Sequence, residues 1–384
     1  MLELDKKCET TITRNKCVIC ESDSLKCLYT IKDFPVYCGI SNNDKKDIVE
    51  DQVWCCCTEC GCVQINKLIN LKILYEVPHN NALGGTWEKH NKDFAKYIIK
   101  NSLNYDSVLD VGGGNGIIAL MLSDKFKKIY ICDTNQSDLK TENNNIIQKK
   151  NLLESLVIKE NVDVIINSHT LEHFYDPNSA FTMFYKLLKD DGRLIMSFPH
   201  VKNMVKDKFT NGICFEHTYF IDENYCNDIA LKHGFVLEDV TFFNKHNIFI
   251  TFTKSNTIEE KHNQLNGFKE NTELVDNFFS YHFKNAEEIQ SRLNSHTGPK
   301  FLWGCHTFSQ YLLSFGINKE SIDGIFDNDT EKQGRFLYGT NIMTLNPEIL
   351  SKIKNPMIVV QAGIYTEEIT NQIKTMNKNA IVIN

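Results

Sequence analysis

Short apolar runs recur through the middle and end of this chain, and each stops at a glycine or a polar residue. Ser107 to Val111 runs into Gly112, Lys128 to Cys132 into Asp133, and Val162 to Ile166 into Asn167. Arg193 to Phe198 stops at Pro199. Runs of this length, rich in Val and Ile, read as buried strands. Trp87, Phe94, Ala95, Ile98 and Ile99 fall instead on one face of a helix, predicted over 87–99, and a second helix is predicted from Ala180 to Leu188. The run Ile117 to Leu122 reads equally as a helix start or a strand. Alternating strands and helices imply β-α-β winding and a parallel sheet. Its third strand is ambiguous between 145–148 and 156–158. Phe235 to Phe243 and Asn247 to Phe252 flank Asn244-Lys245 and predict a closing antiparallel pair, which completes seven strands.

A second such pattern follows. Residues 255–295 are charged, with apolar positions at Leu274, Val275, Phe278 and Phe279, and predict one or two connecting helices packed on one face. Strands are then expected in the stretches Lys300 to Trp303, Ile322 to Phe326 with Asp327 at its end, Met357 to Gly363 and Ala380 to Ile383. This third region opens with one glycine, Gly304, so a nucleotide-binding role there is no better supported than a structural one. Pro78 to Asn81 and Gly84-Gly85 carry turn chemistry.

Composition narrows the class. The chain has 384 residues, 42% hydrophobic and 24% charged, with a net charge of -7. That suits a protein of two or three domains and argues against a nucleic-acid footprint. No apolar run approaches the ~20 residues of a membrane span, and the acidic start lacks a signal-peptide pattern. A cytoplasmic protein is expected. Ten of the fourteen cysteines lie between Cys8 and Cys62, and in that setting they point to metal binding rather than disulfides. Cys17-x-x-Cys20 and Cys57-x-x-Cys60, the latter followed by Gly61, form two knuckles. Four thiolates so spaced make a tetrahedral set that suits a structural Zn²⁺. Cys55, Cys56 and Cys62 leave open which four bind. The expected boundaries are 1–75, 76–254 and 255–384.

Asp110, Gly112, Gly114 and Gly116 form an Asp-x-Gly-x-Gly-x-Gly loop between the first strand and the next run. A dinucleotide fingerprint fails here, because its third glycine would fall on Ile117. The loop resembles the S-adenosylmethionine loop of the seven-stranded methyltransferases, in which the acid and the loop backbone meet the amino-acid end of the cofactor. Asp133, at the end of the second strand, stands where an acid binds the ribose hydroxyls. The alternative is a turn that only packs a helix on a sheet. His90, on the helix ahead of the loop, reads as a surface or packing residue.

Glu216-His217 follows the fifth strand, and Glu172-His173 follows the fourth. A carboxylate beside a histidine at the loop end of a parallel sheet is a general-base arrangement, although Glu172-His173 reads equally as a loop or capping pair. Taken together, the chain resembles the sugar C-methyltransferases that act on nucleotide-linked keto-deoxysugars. The residues that carry this are Cys17, Cys20, Cys57, Cys60, Gly61 and Val63-Gln64; the 110–116 loop, Leu171-Glu172-His173, Asp176-Pro177 and Phe198-Pro199; and Asp327, Lys332-Gln333-Gly334 and Tyr338-Gly339-Thr340. The resemblance implies an α/β fold in which a seven-stranded, Rossmann-like class I methyltransferase domain is flanked by a small zinc domain and a C-terminal Rossmann-like domain. It also implies a nucleotide-linked sugar as substrate. In that family a Tyr-x-Glu-His segment lies at the active site, with the histidine proposed as base. Glu216 and His217 match it, and Cys214 stands at the tyrosine position. An O-methyltransferase of sugars and a non-enzymatic binding module are the other classes consistent with these residues.

Overall fold

Val108, Ile129, Ile131, Val164 and Ile166 are buried in one core cluster, and their chain neighbours Leu109, Tyr130, Cys132 and Ile165 in another. This period-two division is that of strands in a sheet covered on both faces. The structure is a computed structural model, and it describes residues 9–42, 46–76, 85–102, 104–134, 139, 143–255 and 265–384. The turn expected at Pro78 to Asn81, Gly84 and the stretch 256–264 lie outside the described residues. Those described fall into two units, one drawn from Met1–Lys26, Cys55–Asp207 and Glu216–Thr272, the other from Cys27–Trp54, Lys208–Phe215 and Glu273–Asn384. The cysteine-rich segment is therefore divided between them.

The large sheet of the first unit is built of β1 (Ser107–Val111), β2 (Lys128–Cys132), β3 (Ile146–Lys149), β4 (Val162–Ser168), β5 (Leu188–Pro199), β6 (Phe235–Asn244) and β7 (Asn247–Lys254). They pair in the order β6-β7-β5-β4-β1-β2-β3. β7 alone runs opposite to the other six. This is the seven-stranded class I methyltransferase sheet. The third strand is the earlier of the two candidates, and Val157 in the later one is 78% exposed.

Helices α1 (Gly85–Asn101) and α2 (Ile117–Leu122) pack on one face through Phe94, Ile98, Ile118 and Leu122. The ambiguous run after the glycine loop is thus a helix, and it buries Ile118, Ala119 and Leu122. α3 (Pro177–Leu187) and α4 (Glu223–Lys232) cover the other face through Phe181, Phe184, Cys226 and Ile229. Asp176 caps α3, accepting from the Ser179 N–H, and Pro177 opens it. Cys17, Ile19, Cys57, Cys60 and Cys62 belong to this same core. The chain leaves β1 for β2 and β3 on one side and returns to β4 on the other. The carboxyl ends of β1 and β4 therefore border the crevice where open α/β sheets bind ligands.

The second unit holds β8 (Lys300–Trp303), β9 (Gly324–Phe326), β10 (Thr344–Leu345), β11 (Met357–Val360) and β12 (Ile381–Ile383). They form a parallel sheet in the order β10-β9-β8-β11-β12. Ile40–Ser41 pairs antiparallel with Phe336–Leu337 beside it. Among the described residues the connecting region holds one helix, α5 (Phe268–Ser295), whose residues from Glu273 onward belong to this unit. Among the described residues no helix is long and apolar enough to cross a membrane.

Candidate active site and metal centre

The loop after β1 closes over its own acid. Gly112, Gly114 and Gly116 all have positive φ, at 74°, 49° and 71°, a region in which side chains other than glycine are disfavoured. The Gly112 N–H donates to Cys132 O (2.8 Å), and the Gly114 N–H donates to Asp133 Oδ2 (2.9 Å). The loop and the end of β2 are thereby joined. A Cβ at Gly112 would lie 2.1 Å from Thr170 Oγ1, and one at Gly113 would lie 2.6 Å from Asp110 Oδ2.

Asp110 is 1% exposed, and its Oδ2 has no hydrogen-bond partner. Burial, and after it the charge of Asp133, pushes the Asp110 carboxyl up to about 7. A buried carboxylate left without a partner calls for a cationic one, and the ammonium group of S-adenosylmethionine has that chemistry. Space at Gly114, where an added Cβ would meet nothing within 4 Å, is consistent with a ligand against the loop. The predicted cofactor residues Asp110, Gly112, Gly114, Gly116 and Asp133 thus lie together at the ends of β1 and β2.

At the end of β4, Asn167 donates to Val111 O (3.1 Å) and ties β4 to the glycine loop. His169 follows with φ +50°, and a 3₁₀ turn spans Leu171–His173. Its carboxylate, Glu172, is 1% exposed. His169 Nδ1 lies 3.4 Å and His173 Nε2 4.0 Å from Glu172 Oε1, while Oε2 is buried without a partner. Burial works to raise the Glu172 carboxyl. The hydrogen bond from His169 and the charges of His173, His169 and His217 outweigh it and hold the group at about 2.

His217 belongs to this group. Its ring centroid is 5.2 Å from that of His173, and its Nδ1 is buried without a partner. One ligand atom from each of Glu172, His173 and His217 lies within 4.8 Å of the others. The neighbouring backbone holds them there. Thr218 N donates to Glu172 O (3.3 Å), and Tyr219 Oη donates to Leu171 O (2.6 Å). The structure thus brings Glu172 and His173 to His217. Glu216, the carboxylate singled out beside it, is half-buried, and its charge, after burial, raises the Tyr75 hydroxyl above its ordinary range. The Glu172-His173 dipeptide was visible in the sequence, but its meeting with His217 depends on the sheet.

The four knuckle cysteines also come together. Cys17 Sγ lies 3.5 Å from Cys60 Sγ, and Cys20 Sγ lies 3.6 Å from Cys57 Sγ. All four sulfurs lie within 4.8 Å of one another. Sulfurs about 2.3 Å from a tetrahedral zinc lie about 3.8 Å apart, so the set fits that ion with small shifts. Cys56 and Cys62 are not among these four; they donate to Gly61 O and Val63 O, and the Cys62 thiol also meets that of Cys17. Gly61 has φ +81°, and a Cβ there would lie 2.3 Å from the Gly267 carbonyl carbon. Beyond the second knuckle, Ile65 N donates to Thr218 O (3.0 Å) and Phe220 N to Val63 O (2.8 Å). The segment that carries His217 is therefore bonded to the strand leaving the thiol cluster.

Other candidates have structural duties. His90 is buried rather than on the surface, bonded to Ser197 Oγ at 2.8 Å, and burial followed by the charge of His169 lowers it to about 4. His200 caps the helix Val201–Lys206 through Nδ1 and faces Glu223 Oε2 at 3.2 Å. In the second unit Asp327 accepts from the Cys305 N–H (2.7 Å) and pairs with Lys332 (3.2 Å). A carboxylate thus occupies the loop where a phosphate would sit.

Residues 83–240 match the family model of a methyltransferase domain. The chain carries a methyltransferase domain. Residues 301–383 match the model of a C-methyltransferase C-terminal domain, so the two occur in that order in one chain. An uncharacterized protein of Methanocaldococcus jannaschii, MJ1257, is 34% identical over 137 residues, which cover 34% of this chain and 36% of that protein. The chain thus aligns with about a third of that relative's length. A structure of a putative S-adenosylmethionine dependent methyltransferase from Listeria monocytogenes is similar at 17% identity and a TM-score of 0.36, over 43% of this chain and all of that one. Magnesium protoporphyrin IX methyltransferase from Synechocystis, with bound S-adenosylhomocysteine, is similar at 15% identity and a TM-score of 0.37, over 46% and 90%. In this methyltransferase domain the Asp110 loop and the Glu172–His217 group are both at the carboxyl ends of the strands.

Proposed function

We propose that this S-adenosylmethionine-dependent methyltransferase methylates a carbon next to the ketone of a nucleotide-linked sugar. The observation that carries this reading is the C-methyltransferase C-terminal domain matched downstream of the methyltransferase domain. When bound, S-adenosylmethionine supplies an electrophilic methyl group. A carbon acceptor must then become a nucleophile, which an adjacent ketone permits through an enolate. Asp110 and the backbone of Gly112, Gly114 and Gly116 would hold the amino-acid end, and Asp133 the ribose. Enolisation depends on His217, which has Glu216 before it in the chain and Glu172 and His173 around it. An imidazole placed at the acceptor can take the proton directly as a general base. We assign Zn²⁺ to Cys17, Cys20, Cys57 and Cys60; with no open position, it fastens the Val63–Ile65 strand and, through it, the His217 segment.

Incubation with a panel of nucleotide-linked keto-sugars and labelled S-adenosylmethionine, followed by NMR location of the new methyl group, tests the reading. A methyl on the carbon next to the ketone is expected. In deuterated water the wild type should exchange the proton on that carbon, and His217→Ala should lose about 10²–10⁴-fold in turnover. Methylation of a hydroxyl oxygen, with every keto-sugar refused, would favour the O-methyltransferase instead.

A further inference from the structure

We propose that Glu172, His173 and His217 bind one divalent transition-metal cation, separate from the ion of the four cysteines, and that its open positions hold an oxygen of the acceptor. Two imidazoles and one carboxylate are a borderline donor set, suited to Mn²⁺, Fe²⁺, Co²⁺ or Zn²⁺. Such ligands sit about 2.0–2.2 Å from the metal, so two on opposite sides are about 4.2 Å apart. The ligand atoms here lie within 4.8 Å of one another, so small side-chain movements close the set.

Two further observations point to a cation. Glu172 Oε2 and His217 Nδ1 are both buried without a hydrogen-bond partner, and leaving such atoms bare is costly unless something binds them. Glu172 is also 1% exposed, so no bulk water screens its charge. The surroundings resemble the outer support of a metal site. His169 Nδ1 faces Glu172 Oε1 at 3.4 Å, and Thr218 N and Tyr219 Oη fix the backbone on either side. Three protein ligands leave positions open.

A ketone oxygen taken there would make the neighbouring C–H more acidic, because the enolate's charge develops next to a cation. The identity of that oxygen rests on the carbon-methylation reading; the binding of the cation does not. In the loaded protein the His217 ring is a ligand and the proton leaving that carbon passes to the carboxylate of Glu216, its neighbour in the chain; direct proton removal by the His217 ring belongs to the cation-free protein.

Full-length, zinc-loaded protein titrated with Mn²⁺ provides the test, with free Mn²⁺ followed by electron paramagnetic resonance. Manganese suits oxygen and nitrogen donors over four thiolates, so zinc at the cysteines stays in place and is counted separately. One Mn²⁺ per chain is expected for the wild type. Its Kd should rise more than about tenfold in Glu172→Gln and in His173→Asn, with the zinc count unchanged. Binding of S-adenosylhomocysteine by calorimetry reports that each variant is folded, and if Glu172→Gln fails that control, the half-buried His173→Asn decides. A wild type that leaves millimolar Mn²⁺ and Co²⁺ free, or variants that bind as the wild type does, would overturn the proposal. Cation binding without methylation of any keto-sugar would overturn the substrate reading and leave the site standing. Deuterium exchange that survives removal of the cation would assign the proton to His217 itself.

Discussion

Asp110→Asn should remove most of the pH dependence of cofactor binding. In the cofactor-free protein the Asp110 carboxyl lies at about 7, against an ordinary 3.8, because it is buried and faces the charge of Asp133. The folded pKa is raised, so the protonated form is favoured in the folded chain. The stability this contributes is full below about pH 3.8 and is lost as the pH rises to about 7. A shift of about three units corresponds to roughly 4 kcal/mol at most. An ammonium group placed at Asp110 would reverse that preference and bind the ionised carboxylate. Below about pH 7 the proton must then leave before the ligand enters, and the Kd should weaken about tenfold for each unit of pH. Between pH 8 and 5.5 this amounts to roughly 30-fold. Calorimetry with S-adenosylhomocysteine, repeated in buffers of different ionisation enthalpy, reads both the Kd and the protons released. About half a proton should be released at pH 7 by the wild type and close to none by Asp110→Asn. A flat wild-type profile, or equal slopes in the two proteins, would refute the assignment of Asp110 to the cationic end of the cofactor.

Cys57→Ser combined with Cys60→Ser should release one zinc per chain and raise hydrogen exchange at the Ile65 and Phe220 amides, which bond across to Thr218 and Val63. Unchanged metal content, or unchanged protection, would detach the thiol cluster from the His217 segment. Gly112→Ala places a Cβ 2.1 Å from Thr170 Oγ1 at φ +74°, which should cost about 2–4 kcal/mol of stability. Adding Thr170→Ala should restore only a fraction of this in thermal melts, since the Cβ of residue 170, 2.8 Å away, and the backbone strain both remain.

Glu172 and His217 show where reading the sequence ends. Each stood beside a candidate partner in the chain, Glu172 beside His173 and His217 beside Glu216, and adjacency suggested those pairs. The structure adds a relation between the pairs, because the Thr218 backbone N–H and the Tyr219 hydroxyl are bonded to the turn after β4. That contact depends on sheet order and register, which residues close in sequence do not encode. The cysteines behave likewise. The spacing of the two knuckles named the four thiols correctly as a cluster, because a C-x-x-C turn has local geometry. The different surroundings of Cys56 and Cys62 needed the fold, which brings their sulfurs to Gly61 O and Val63 O.

The strands of the first sheet and the glycine loop between Asp110 and Asp133 were legible from the chain alone, whereas the helix at Ile117–Leu122 was left open and the short strand Thr344–Leu345 of the second sheet was not foreseen. Apolar alternation and positive-φ glycines are consequences of local backbone geometry. The choice of the third strand, the burial that lifts Asp110 and the lysine that neutralises Asp327 were not legible. They follow from which surfaces meet when distant segments pack, and burial and long-range electrostatics exist only once that packing has formed.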